Sequence, residues 1–130
     1  MTLRALFVIT LTLVSSASGA SSDLIISDAW VRATPPGKMM TAGYASLENL
    51  SNEVITITGV SAVVAGHASF HGTRIERDRS TMRPVANLSI EAGERVSLKP
   101  GGLHIMLMKL SESLTDGQSI DICLELENNN

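Results

Sequence analysis

The stretch Leu103-His104-Ile105-Met106-Leu107-Met108 alternates between two kinds of side chain. Successive residues of a β-strand point to opposite faces. Leu103, Ile105 and Leu107 then form one plain apolar face, and His104, Met106 and Met108 form the other, built from nitrogen and sulfur. The segment reads as a strand with one face in a core and a second face that carries chemistry.

Moving outward, the same alternation recurs in short stretches: Leu24 to Arg32, Thr41 to Leu47, Glu53 to Val60, Ala68 to Ile75, Met82 to Val85, Arg95 to Leu98 and Ser119 to Leu126. Turn signals separate them at Pro35-Pro36-Gly37, Asn49 to Asn52, Glu91-Ala92-Gly93, Lys99-Pro100-Gly101-Gly102 and Asp116-Gly117. Val, Ile and Thr dominate the stretches and no helical repeat stands out. Strands at this spacing predict an all-β sandwich or barrel.

Residues 1–20 place Arg4 ahead of an apolar run and end on small residues at Ser18 and Ala20, the layout of a secretory signal peptide. The expected division is residues 1–20 as signal peptide and residues 21–130 as one β-sandwich domain. Removing Arg4 with the leader takes the formal charge from −3 to −4. The mildly acidic remainder has no Lys/Arg cluster, which argues against nucleic acid and anionic membrane as partners. The apolar run is too short to span a bilayer comfortably, so no stable membrane insertion is expected after the leader is removed. No cysteine follows the small residues, so a lipid anchor is not suggested. Cys123, the only cysteine, excludes both an intramolecular disulfide and a Cys-based zinc site.

All three histidines lie in or beside two strands. Around His71, alternation groups His67, Ser69 and His71 on one face, with Ala68 and Phe70 opposite. His104 and Met106, at i and i+2, suit two ligands to one ion, and His71 and Met82 supply two more if their strands lie alongside. Two imidazoles with two thioethers form a soft, uncharged set that suits Cu(I) and not zinc, calcium or magnesium. Without a Cys ligand the set does not make a blue-copper centre.

The spacing His71, ten residues, Met82, twenty-one residues, His104, one residue, Met106 resembles the signature of the PCu(A)C family, periplasmic copper chaperones associated with assembly of the Cu(A) centre of cytochrome oxidase. Ala29-Trp30-Val31-Arg32-Ala33-Thr34-Pro35-Pro36-Gly37, Met82-Arg83-Pro84-Val85 and Pro100 to Met108 resemble its flanking segments. The resemblance implies a cupredoxin-like Greek-key β-sandwich holding one Cu(I) on His71, Met82, His104 and Met106. It implies no catalytic residue, a periplasmic location, and delivery to a cytochrome oxidase copper-binding subunit or another copper-assembly protein. Two departures are expected to matter. Gly72 stands where the family usually has an acidic residue, and the family's last strand, beyond Leu126, is expected to be absent.

Other residues read more plainly. Met108 is expected to pack around the site, His67 to be an ordinary loop-edge histidine, and Trp30 to anchor the core. Met39 and Met40 suit either a soft surface over the site or turn packing, and Cys123 either partial exposure or burial under a loop. Two other functions fit the same pattern: a copper redox protein, and a non-metal β-sandwich interaction module of the cell envelope.

Overall fold

A computed structural model describes residues 23–127. The expected signal peptide lies outside the described residues, as does the chain after Glu127 on which the expected absence of a final strand bears. Nine strands follow in order: β1 (Leu24–Val31), β2 (Met40–Asn49), β3 (Ile55–Ala62), β4 (Ala65–Glu76), β5 (Arg79–Val85), β6 (Leu88–Ile90), β7 (Arg95–Leu98), β8 (His104–Leu110) and β9 (Ile122–Leu126). Among the described residues there is no helix. Every stretch expected from alternation falls on a strand, with ends shifted by a few residues.

The strands form two antiparallel sheets packed as a sandwich. The major sheet has the order β1-β2-β8-β4-β5, with β7 also paired to β2; the minor sheet has the order β6-β3-β9. β7 and β8 share one edge of β2, since Glu48 to Ala45 pair with β7 and Gly43 to Met40 with β8. Leu47, Ile57, Phe70, Ile90 and Leu107 are essentially sealed between the sheets. Each such side chain contributes about 1.5–3 kcal/mol by leaving water. The face of the major sheet that carries Ile105 and Leu107 is therefore the inner one, and His104, Met106 and Met108 lie on the outer one.

Asn49, at the far end of β2, is fully buried and fully satisfied. Its Nδ2 donates to the Glu53 and Ile90 carbonyls at 2.7 and 2.9 Å, and its Oδ1 accepts from Ser51 N and Oγ at 2.9 and 2.7 Å. One side chain thus ties β2 to β6 of the opposite sheet.

Two tight turns contain neither glycine nor proline. β3 and β4 join through Val63-Val64, and β4 and β5 through Arg77-Asp78, both left-handed at φ 48° and 64°. That pair of angles is the hairpin geometry normally met by Asn-Gly, because it matches the twist of the strands. Here non-glycine residues adopt it at a cost of about 1–2 kcal/mol each.

The expectation for Trp30 is corrected. In β1 the pairing with β2 slips between Ser27 and Trp30, and Asp28 there has φ 53°. The extra residue of a bulge reverses the alternation beyond it. Val31 turns inward, opposite Gly43, while Trp30 turns outward, opposite Tyr44, and is 48% exposed.

Candidate metal centre

The outer face of the major sheet is a grid set by register. One row crosses Trp30 of β1, Tyr44 of β2, His104 of β8, His71 of β4 and Pro84 of β5. The next row holds Ala42, Met106 and Ser69, and the one beyond it Met40, Met108 and His67. Directly opposed residues share a face, with Cβ atoms about 4.5–5.5 Å apart. His71 and His104 are such a pair, with ring centroids 6.1 Å apart and planes at 31°.

His104 is held in a defined form. Its Nδ1 lies 2.9 Å from the Gly102 carbonyl oxygen, which can only accept, so Nδ1 carries a proton and Nε2 is the nitrogen left to meet an ion. A histidine oriented through its other nitrogen in this way is prepared as a metal ligand. The ring is nearly buried, at 4% exposure, and stacks toward Tyr44, whose centroid is 6.4 Å away. Tyr44 is itself covered by Trp30, with centroids 4.5 Å apart, and by the Arg32 guanidinium, 5.9 Å above its ring. This gives an unbroken wall of rings along one side of the histidine pair.

His71 is more open. Its Nε2 lies 2.9 Å from Ser69 Oγ, the neighbour two residues along the same face. Burial lowers its pKa below the usual histidine value, and the charges of His104 and then His67 lower it further. Neutral imidazole, the form that can offer a lone pair, is therefore favoured.

Met106 lies on the same face as His104, two residues along β8, between the small side chains of Ala42 and Ser69. Nothing bulky stands on either side of its thioether. Met82 is placed differently. It pairs with Thr73, two residues beyond His71, which makes it a diagonal neighbour of His71 at about 7–8 Å. Its side chain is 59% exposed. Thr73 Oγ1 reaches the Gly102 carbonyl at 3.5 Å, so Met82, Thr73, Gly102 and His104 form one continuous patch. All four residues expected as ligands share this outer face.

Sequence reasoning missed Ser69, Tyr44 and Gly102 as supporting residues. Ser69 stood on the ligand face by alternation, which was the available signal. The partnership of Tyr44 with His104 depends on β2 pairing with β8, which no local pattern reveals. His67 is a β4 residue, not a loop-edge one. Cys123 is exposed, on the side of β9 that also bears Glu125.

Among the described residues, no three of His, Cys, Asp and Glu cluster closely enough to hold a metal ion. The donors this face adds to its histidines include the thioethers of Met106 and Met82, and thioether sulfur favours a soft ion. A cleft of about 410 Å³ opens between β1 and the segment around Ile120 to Leu124. No histidine, methionine or cysteine lines it, so it offers no soft ligand.

Residues 24–130 match the family described as "Putative lipoprotein LpqE-like". The chain belongs to the LpqE-like family.

A curated relative of this LpqE-like chain is the protein of Leifsonia xyli subsp. xyli named "Putative lipoprotein Lxx21020", 34% identical over 100 residues. The alignment takes in 76% of the present chain, which spans 59% of the length of that relative. Both names speak of lipoproteins, a class of exported envelope proteins.

Among solved structures, the copper-bound PCuAC domain of PmoF2 aligns with a TM-score of 0.70 at 21% identity, over 85% of this chain and 86% of that one. Apo-DR1885 of Deinococcus radiodurans aligns at 0.64 with 26% identity, over 98% and 86%. Its Cu(I) form aligns at 0.57 with 28% identity, over 78% and 69%. The LpqE-like chain therefore has the two-sheet, cupredoxin-like sandwich of the PCuAC and DR1885 copper-chaperone family, as the motif resemblance implied.

Proposed function

We propose that the protein is an exported copper carrier that binds one Cu(I) through His71, Met82, His104 and Met106. The observation that carries this reading is the direct pairing of His71 with His104 across β4 and β8, with Met106 next along the same face. The Nδ1 proton of His104 is committed to Gly102, which leaves its Nε2 for an ion. Two neutral imidazoles and two thioethers add no charge to the ion and need no deprotonation beyond that of histidine. Such a set favours the reduced, soft ion and exchanges readily, as a carrier requires.

The finer steps follow the same reading. The protein works in the periplasm and hands its ion to a haem-copper oxidase copper site or to an assembly factor of that site. Met82, the most exposed of the four ligands, is the first that a recipient meets. On this reading the face carries an ion and no residue is assigned a catalytic role.

The test is an anaerobic titration against a coloured Cu(I)-chelator complex, with a Met82→Leu/Met106→Leu variant as control. Wild type is expected to withdraw copper where the variant does not; equal withdrawal would sink the reading. Mixing the loaded protein with a copper-free oxidase copper-binding domain then tests delivery. Retention of copper by the carrier would count against the chaperone role.

A further inference from the structure

The outer face holds a second set of soft ligands that the four-residue site does not use. Met108 of β8 pairs directly with Met40 of β2 on one side and with His67 of β4 on the other. The three side chains therefore lie in one transverse row on the same face, on adjacent strands about 4.8 Å apart. Each neighbouring pair has Cβ atoms about 4.5–5.5 Å apart. Two flexible thioethers and an imidazole in that arrangement can converge on an ion above Met108.

Packing does not account for the row. Met40 is 48% exposed and His67 is exposed as well, so neither fills a core gap. An exposed strand position with no packing duty is ordinarily served better by Thr or Val than by Met. The backbone beside the row is also constrained. Lys109 next to Met108 is left-handed, at φ 52°, and Gly66 next to His67 lies so close that an added Cβ would fall 2.9 Å from the Lys109 Cβ. β4 and β8 are thus locked together where Met108 and His67 face each other.

We infer that Met40, Met108 and His67 form a second site for a soft monovalent ion of the Cu(I) or Ag(I) class, separate from the four-residue site. Between the two rows stands Met106, flanked by Ala42 and Ser69, with room for its thioether to lean toward either. The outer face of β8 is then a continuous track of His104, Met106 and Met108 along which an ion can pass between the rows.

The inference is independent of the Cu(I) site proposed above, and one experiment separates them. Ag(I) is titrated into the protein with ¹³C-labelled methionine methyl groups. Three forms are compared: wild type, Met40→Leu/Met108→Leu and His71→Gln/Met82→Leu. Wild type is expected to bind a first and a second equivalent, the Met40 and Met108 signals shifting with one of them. The Met40→Leu/Met108→Leu protein should lose that equivalent and keep the other on Met82 and Met106. The His71→Gln/Met82→Leu protein should do the reverse, which would uphold the second site even if the first failed. The inference is overturned if wild type takes a single equivalent without moving Met40 and Met108, or if the second equivalent survives in the Met40→Leu/Met108→Leu protein. Leucine keeps the volume of methionine, and matching backbone spectra before metal addition verify that both variants fold.

Discussion

His71 and His104 face each other across β4 and β8 with their ring centroids 6.1 Å apart, yet their surroundings differ. His104 is nearly sealed, tied to the Gly102 carbonyl and walled by Tyr44. His71 is open enough to reach Ser69. One imidazole is fixed and the other adjusts, which suits a site that has to accept an ion and then release it.

Removing an exposed ligand should separate binding from stability. Met82→Leu is expected to lower Cu(I) affinity at least about tenfold, the lower end of what even an outer partner of a metal ligand contributes. Because Met82 is 59% exposed, unfolding stability should move by no more than about 0.5 kcal/mol. Chelator competition and urea denaturation measure the two quantities. A large stability loss would mean that Met82 serves packing.

The lowered pKa of His71 sets a pH dependence. Burial, then His104, then His67 keep its folded-state pKa below the usual histidine value. The unfolded chain therefore binds more protons in the window between about 6.5 and that lower value. The stability from this group is complete above the window and is lost as pH falls through it. Urea midpoints measured from about pH 7.5 down to about pH 5 should decline, and His71→Gln should flatten the decline. Cu(I) loading should also persist to lower pH than an unperturbed histidine would allow.

Trp30 is the only tryptophan, and it contacts Tyr44, which contacts His104. Its emission should change when a soft ion occupies the histidine pair. Titration with Ag(I) is expected to quench wild type and to leave the Met82→Leu/Met106→Leu variant unchanged at the same metal concentration. Identical quenching of both would place the ion elsewhere.

Asn49 offers a control remote from the site. Asn49→Ala removes the side chain that satisfies the Ile90 and Glu53 carbonyls inside the fold. The expected loss is about 1–3 kcal/mol, seen as a lower urea midpoint with an unchanged slope. Cu(I) affinity of the folded fraction should stay the same, since Asn49 sits at the opposite end of β2 from Ala42 and Tyr44.

Much of this architecture was legible in the amino-acid sequence because alternation is a local property. It placed His104 and Met106 together, and separately His67, Ser69 and His71, on single faces. Which strands lie side by side is not local, so the adjacency of His71 and His104 rested on family spacing until the register was seen. Trp30 was misread because one bulge residue, Asp28, inverts the parity of everything after it in β1. The Arg77-Asp78 turn went unseen because it contains neither Gly nor Asn, and β6 because three residues are too few for a pattern to stand out.

The two-residue turn at Arg77-Asp78 gives the interval between His71 and Met82 an arithmetical meaning. β4 and β5 pair so that Thr73 meets Met82 and His71 meets Pro84, and only residues an odd number of places apart along such a hairpin emerge on the same side. His71 and Met82 satisfy that rule. With the two-residue turn kept, one residue more between it and Met82 would send Met82 to the opposite surface, whereas two would merely slide it along its own side. The gap between His71 and Met82 therefore works as a parity condition, and a chain that breaks it can restore the phase with a bulge or a longer turn.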